Sequence, residues 1–193
     1  MKSIVVFCGS SDGNDKKVTE VAYALGKTLA KESITLIYGA AKIGVMGKVA
    51  QGALDNNGTV VGIIPEFLKK KEVVHTHLSE LIVTKNMHER KLLMHERSEG
   101  VITLPGGFGT LEELFEIMTW GQLGLHQKPI GILNVNGFYD DLLKMLQKMV
   151  TQGFLKQGNY NMLLVDETIP GLLTQMKNYK PISRPKWIKK EQV

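Results

Sequence analysis

The chain has 193 residues, which is enough for one α/β domain with a sizeable core and short for two. Hydrophobic residues make up 43% and charged residues 22%, as in ordinary globular proteins, and no apolar run approaches the roughly 20 residues that cross a bilayer. The net charge is +5, but residues 177–193 hold six basic residues and one acidic residue, so the rest of the chain is neutral. We therefore expect no nucleic-acid footprint, with RNA binding by this tail as a minor alternative.

The N-terminal segment Ser3–Cys8 is too short and wrongly flanked for a signal peptide, and it is typical of a first strand. Cys8 is the single cysteine, so an internal disulfide is impossible, which fits a reducing compartment. We expect a cytoplasmic protein that does not enter the membrane. Cys8 itself is expected to be inert packing in a core strand and not a nucleophile.

Strand-like and helix-like patterns alternate along the whole chain. The predicted strands are 3–8, 34–38, 59–64, 81–83, 100–104, 129–135 and 162–165, and the predicted helices are 15–31, 45–54, 87–98, 111–123, 138–152 and a last one that reaches 178. The least regular part is 65–85. This alternation predicts an α/β fold with three layers, a Rossmann-like doubly wound parallel sheet in a single domain over residues 1–180, followed by a basic tail, 181–193.

The stretch Leu104–Glu113 places three glycines where a predicted strand passes into a helix. Glycine allows positive φ and close approach of a ligand, and the first N–H groups of a helix carry the positive end of its dipole. The sequence therefore predicts an anion cradle with the Glu113 carboxylate about one turn behind it. A tight turn with glycines for packing, and with glutamates of the first helical turn as partners of the helix dipole, would explain the same pattern. The spacing is not that of a nucleotide-triphosphate loop.

Two more glycine-bearing loops, 9–13 and 39–47, also follow predicted strands. Because the carboxyl ends of parallel strands meet at one edge of a sheet, these loops and 106–109 should gather there. Gly9 and Ser10 suit either a phosphate or ribose contact or the start of a helix that needs small residues. The charged run 86–91 opens the helix before the central strand, and read alone it is a solvated helix face.

A metal site is not expected from the histidines. His75 and His77 lie two residues apart with Glu72 nearby, but no second cluster completes a zinc site.

The string Pro105–Glu113 resembles the PGGxGTxxE signature of the LOG (Lonely Guy) family, the cytokinin riboside 5′-monophosphate phosphoribohydrolases. The run Met87–Lys91 is similar to the family's MHxRK motif, and Tyr38–Gly47 is similar to its YGGG-x-x-GLMG loop. Ala40 and Ala41 stand where glycines are usual, and we expect their methyl groups to narrow the room for a ligand. The likeness covers nearly the whole chain.

The resemblance implies hydrolysis of the N-glycosidic bond of an N6-modified adenosine 5′-monophosphate or AMP, with neither metal nor cofactor, and with Arg90 and Glu113 as catalytic residues. The positions that match substrate contacts of the family are Gly9, Ser10, Gly39, Gly44, Met46, Gly47, Glu72, Met87, Lys91, Gly106, Gly107, Phe108, Gly109, Thr110, Leu111, Glu112 and Thr119. The resemblance also implies a homodimer. Apolar residues compatible with an interface or with plain burial are Phe115, Met118, Trp120 and Leu123.

Two other functions stay open. A non-catalytic nucleotide sensor or carrier can use the same fold, although the presence of both Arg90 and Glu113 argues against it. Proteins of this kind have also been labelled lysine decarboxylases, which would need pyridoxal phosphate on a Schiff-base lysine. Lys91 is the only lysine near the proposed site.

Overall fold

The computed structural model describes residues 1–69 and 74–181. Within these residues, seven strands form one sheet in the order β4-β3-β2-β1-β5-β6-β7, and every neighbouring pair is parallel. The strands are β1 Ser3–Phe7, β2 Thr35–Tyr38, β3 Val60–Pro65, β4 Glu80–Thr84, β5 Gly100–Thr103, β6 Ile130–Leu133 and β7 Leu163–Asp166. The predicted parallel sheet is confirmed.

Helices connect the successive strands. They are α1 Lys16–Lys31, α2 Gly44–Leu54, α3 Glu66–Lys69, α4 Met87–Arg97, α5 Phe108–Gln122, α6 Asp140–Thr151, α7 Gln157–Tyr160 and α8 Ile169–Lys177, with a 3-10 turn at Val135–Gly137. In the described part of the chain, no helix combines the length and the apolar character needed to cross a membrane.

Side chains alternate along each strand, so apolar residues lie on both faces of the sheet, and helices cover both faces. On β1, Ile4 and Val6 join a core cluster with α1, α2 and α8, whereas Val5 and Phe7 join a second cluster with α4 and α5. Met118 of α5 belongs to the second cluster and is buried, so it forms core and not surface. The result is the predicted three-layer arrangement.

The sheet reverses its winding between β1 and β5. Successive strands extend from β1 through β2 and β3 to β4 on one side, and from β5 through β6 to β7 on the other. In sheets of this kind the crevice outside the carboxyl ends of the two central strands accepts ligands. The loops after β1 and β5 border this crevice.

The observed boundaries differ from the predicted ones most clearly at α5, which begins at Phe108 and not at 111. Gly109 and Thr110 therefore lie in the first helical turn. The irregular stretch before α4 contains a full five-residue strand, β4, which pairs with β3 from Val61↔Glu80 to Pro65↔Thr84. Apart from Pro181, the predicted basic tail lies outside the described residues.

Candidate active site

The three glycine-bearing loops meet at the carboxyl edge of the sheet, as predicted. The Gly9 amide donates to the Pro105 carbonyl at 3.1 Å, which joins the loops after β1 and β5. The Val45 and Met46 amides donate to the Ser11 and Gly9 carbonyls at 3.3 and 3.2 Å, which joins the loops after β1 and β2. Two of the first amides of α2 are therefore already used inside the protein.

Gly44 and Gly47 are required by this packing. Gly44 has φ +69°, and a Cβ there would collide with the backbone of Ser10. A Cβ at Gly47 would collide with the Lys42 carbonyl. These two predicted contact residues hold the loops together, whether or not they also touch a ligand.

The N-terminus of α5 has no side-chain cap. Gly107 is its N-cap residue, and the amides of the first turn have no acceptor within the helix. At Gly107 and Gly109, no atom beyond the adjoining backbone lies within 4 Å of the position that a Cβ would take. The protein therefore presents an open row of amides to an anion, at the positive end of the helix dipole.

The side chains of this first turn are divided between solvent and protein. Phe108 is 94% exposed, while Thr110 is buried and sits against Gly106, where a Cβ would collide with its hydroxyl. Leu111 is partly buried and packs against the second core cluster. The cradle is thus made of backbone amides more than of the Thr110 hydroxyl.

A pocket of about 330 Å³ lies beside this row of amides. Its lining comes from the loop after β1, from the loop after β5, and from single residues of α1, α2 and the segment before α6: Gly9, Ser10, Ser11, Asp12, Gly13, Asn14, Asp15, Val18, Val45, Pro105, Gly106, Gly107 and Phe138. The predicted contacts Gly9, Ser10, Gly106 and Gly107 are therefore brought together.

Arg90 is a nearly buried cation at the ends of β2 and β3. Asn86 caps α4 by accepting the Glu89 amide at 2.9 Å, so the run of charged residues starts at the edge of the sheet. The Arg90 Nε donates to the Ile63 carbonyl at 3.1 Å, and its Nη1 lies 3.8 Å from the Met87 sulfur. The side chain faces the protein and not bulk solvent.

Glu113 lies on α5, close enough to Arg90 for the two charges to interact. Burial raises the pKa of Glu113 from 4.5 to about 7, the charge of Arg90 opposes this rise, and Glu112 adds to it. Lys91 lowers the pKa and Glu116 raises it, both more weakly. At neutral pH the Glu113 carboxyl therefore populates both protonation states, which suits a general acid or base.

Lys91 is held between two carboxylates of α5. Its Nζ donates to Glu112 Oε1 at 2.5 Å and to Glu116 Oε1 at 2.8 Å. Burial alone would lower the pKa of Lys91, but these two hydrogen bonds and charges raise it in sum. The predicted contact residue Thr119 lies one turn further along α5, where its hydroxyl donates to the Phe115 carbonyl at 2.7 Å.

The expectation about the two alanines is wrong. Ala40 and Ala41 are 0% and 1% exposed, and the Ala40 methyl faces Gly62 of β3. The methyl groups therefore lie inside the protein and do not narrow a ligand site. Ala40 does adopt φ +66°, a conformation in which glycine is favoured.

Glu72, a predicted substrate contact, lies outside the described residues.

The two neighbouring histidines are described. His75 is buried, and its Nδ1 accepts the His77 amide at 3.3 Å. Within residues 1–69 and 74–181, no group of three or more His, Cys, Asp or Glu side chains could hold a metal ion.

Sequence reasoning missed two partners in the site. The Ile63 carbonyl that accepts from Arg90 is a backbone group, and the residue type at this position does not predict such a contact. Glu116 as a partner of Lys91 had a signal, because Glu112 and Glu116 are four residues apart and lie on one helix face. That spacing indicates a shared face but not which cation meets it.

Comparison with known proteins places this site in a family. A family model described as "Possible lysine decarboxylase" matches residues 46–176. A probable cytokinin riboside 5′-monophosphate phosphoribohydrolase of Arabidopsis thaliana, LOG6, is 43% identical over 180 residues, which cover 93% of this chain and 90% of that protein. The chain belongs to the LOG family. The cytokinin riboside 5′-monophosphate phosphoribohydrolase of Rhodococcoides fascians is 42% identical to this LOG chain over 178 residues, or 92% of the chain and 90% of that protein.

Solved structures share the fold of this LOG chain. The molybdenum cofactor binding protein of Rippkaea orientalis is similar with a TM-score of 0.70 and 26% identity, over 92% of this chain and 97% of that one. The likeness therefore extends over most of both chains.

Proposed function

We propose that this LOG protein hydrolyses the N-glycosidic bond of adenosine 5′-monophosphates, including N6-modified ones, and releases ribose 5-phosphate and the free purine, a cytokinin or adenine. The observation that carries the proposal is the position of Glu113. Its carboxyl, whose pKa is raised by burial, follows the open amides of α5 by about one helical turn, and Arg90 lies close enough to interact with it. The relatives named as phosphoribohydrolases supply the substrate class.

The amides at the start of α5 would bind the 5′-phosphate. The open space at Gly107 and Gly109 lets phosphate oxygens reach the main chain, and the helix dipole favours their charge. Binding at this end fixes the sugar relative to Glu113, so the reacting bond is presented in one orientation. The loop Gly9–Ser11 borders the same crevice and suits contacts to phosphate or ribose hydroxyls.

The chemistry follows from the charges of the transition state. As the bond between C1′ and the purine nitrogen breaks, positive charge develops on the sugar and the electron pair moves to the base. The Glu113 carboxylate stabilises the first charge and takes a proton from the attacking water, whose oxygen bonds to C1′. Arg90 stabilises or positions the leaving purine, which takes a proton from solvent as it departs, and Glu113 then returns the proton of the attacking water to solvent.

Lysine decarboxylase activity is a less well supported function for the same site. A Schiff-base lysine needs a lowered pKa and a free amine. Lys91 has the opposite environment, because its Nζ is bound to Glu112 and Glu116 and its pKa is raised. A purified protein that is yellow and releases pyridoxal phosphate would revive this alternative.

A sensor or carrier would bind the nucleotide and return it intact. Incubation of the protein with AMP separates this alternative from hydrolysis, since only an enzyme yields adenine. The site argues for the enzyme, because a buried cation beside a carboxyl of raised pKa is more than binding requires.

A homodimer is part of the proposal. Apolar side chains remain on the surface around the site helices and the edge strand: Leu92 and Phe115 are 44% and 37% exposed, and Leu81 and Val83 of β4 are each 40% exposed. A second copy would cover them. Light scattering that gives the mass of one chain would remove this claim. A cytoplasmic location stays a prediction from the single cysteine.

The test is release of ribose 5-phosphate from AMP and from isopentenyladenosine monophosphate. We expect Glu113→Gln and Arg90→Ala each to lose on the order of 10²-fold or more in kcat, as for other positioned acid–base groups. Matched controls are Arg97→Ala, which removes an exposed arginine of the same helix that pairs with Glu80, and Glu96→Gln, which neutralises an exposed carboxylate. Turnover near wild type in either site variant would show that the roles are misassigned.

A further inference from the structure

We propose that Lys91 is a positioning residue that acts on Glu113 through Glu112 and Glu116, and that it is not a ligand of the substrate. The proposal rests on the function given above only in taking Glu113 as the reacting carboxyl. It departs from the substrate contact that the family motif implies for this lysine.

The first argument is geometric. The Lys91 ammonium donates to one carboxylate at 2.5 Å and to a second at 2.8 Å, and only 12% of its side chain is exposed. Both bonds cross from α4 to α5, over 21 and 25 residues of sequence. To reach a phosphate or ribose oxygen, Lys91 would have to release both carboxylates and leave them near Glu113 without compensation.

The second argument concerns the face of α5. Glu112 and Glu116 are one turn apart and share one side of α5, and Glu113 lies three residues before Glu116, so the three carboxyl groups fall within about one turn of the helix. Like charges at this spacing repel one another and favour protonation. Lys91 offsets this repulsion, and it also ties α5 to the helix that carries Arg90.

The two carboxylates are not equivalent. The Glu112 side chain is 53% exposed and that of Glu116 is 26% exposed, while their shared lysine is nearly buried. Water screens the exposed pair more strongly. On Glu113, however, the charge of Glu112 acts more strongly than that of Glu116, so this screening does not set their order.

The direct test measures the protonation of Glu113 without any reaction. The 13C resonance of the Glu113 carboxyl, assigned by its loss in Glu113→Gln, is titrated in the wild type, in Lys91→Met and in Lys91→Arg. We expect the midpoint to rise in Lys91→Met by on the order of one pH unit and to stay close to wild type in Lys91→Arg. An unchanged midpoint in folded Lys91→Met overturns the proposal, whether or not the protein hydrolyses nucleotides.

The kinetic test compares the effect of Lys91→Met in the wild-type protein with its effect in a variant that lacks both carboxylates. In Glu112→Gln/Glu116→Gln the repulsion that Lys91 offsets is gone and only the direct effect of its charge on Glu113 remains, so Lys91→Met should cost less in kcat/KM than it does in the wild type. In the wild-type background the same change should lower kcat/KM several-fold at pH 7, and the loss should shrink at pH 9 as Glu113 ionises. A lysine that binds substrate predicts instead a raised KM at every pH and in both backgrounds, and this result would refute the positioning role.

Discussion

The guanidinium of Arg90 occupies the space beside Gly39 in which a Cβ atom would lie. Gly39 directly follows β2, and Arg90 is on α4, so the glycine of one loop makes room for the charged group of a distant helix. The sulfur of Met46 closes the other side, 2.8 Å from the same Cβ position. The glycine is thus explained by a neighbouring side chain rather than by its backbone conformation.

Replacing Gly39 with alanine should therefore damage activity more than stability. The Arg90 guanidinium and the Met46 sulfur are the ends of flexible side chains, so they can move away from an added methyl group. The guanidinium is then displaced from its position in the site. We expect a loss in kcat on the order of tenfold or more, with a change in unfolding free energy of about 1–2 kcal/mol. In the Arg90→Ala background the same substitution should cost no further activity; an equal loss in both backgrounds would show that Arg90 is not the target.

Glu113→Gln should stabilise the protein at alkaline pH while it removes activity. Burial raises the pKa of Glu113 from 4.5 to about 7, so ionising this group disfavours the folded state. The cost is absent below pH 4.5, grows as pH rises, and is complete above pH 7. At pH 8 we expect a gain of about 1–3 kcal/mol, seen by calorimetry as a rise in Tm of several degrees, and little difference at pH 4.5. A variant that is less stable at pH 8 would contradict this reading.

Two glycines of the cradle should respond in opposite ways. A Cβ at Gly109 meets no atom within 4 Å beyond the adjoining backbone, so Gly109→Ala should fold normally and gain up to about 1 kcal/mol from helix propensity. It should raise KM for AMP, because the methyl group stands where phosphate oxygens approach. Gly106→Ala should instead lower Tm, since its Cβ would collide with Thr110 and lie 2.8 Å from the Gly9 nitrogen. Unchanged KM in Gly109→Ala would place the phosphate elsewhere.

Ala40→Gly should raise stability, in contrast to Ala41→Gly. Ala40 is held at φ +66°, which costs a residue with a Cβ about 1–2 kcal/mol, whereas glycine loses about 0.5–1 kcal/mol through its freer unfolded chain. The net gain in unfolding free energy should be up to about 1 kcal/mol, and loss of the packing of the buried methyl group reduces this gain. Ala41 has no positive φ, so the same change there should lower stability. Chemical denaturation of both variants decides between these signs, and a loss in Ala40→Gly would show that methyl packing dominates.

The parts of this molecule that the sequence predicted share a local origin. Alternating apolar strands and helices identified the sheet, and the glycine loops placed the site at its carboxyl edge, because these signals depend on residues close together in sequence. The sequence pattern predicts the start of α5 at residue 111, three residues later than the observed start at Phe108. Gly109 is a poor helix former, and the residue pattern does not show that a first turn tolerates it.

The parts that were missed depend on contacts between distant elements. The partners of Lys91 are 21 and 25 residues away, and the carbonyl that holds Arg90 is 27 residues away. The expectation that the Ala40 methyl group narrows the ligand site is wrong, because this methyl group packs against Gly62 of β3. The loop sequence alone does not predict that contact. Motifs thus identified the candidate residues, while the environment of each group could be described only from the fold.

The hydrogen bonds among the loops after β1, β2 and β5 have a consequence for recognition. Gly9 donates to one neighbouring loop and accepts from the other, so the three loops form one braced frame before any ligand arrives. Their conformational entropy is lost when the chain folds and not when a nucleotide docks. The nucleotide proposed as substrate would therefore meet loops that are already hydrogen-bonded to one another, and its association there should not require loop closure.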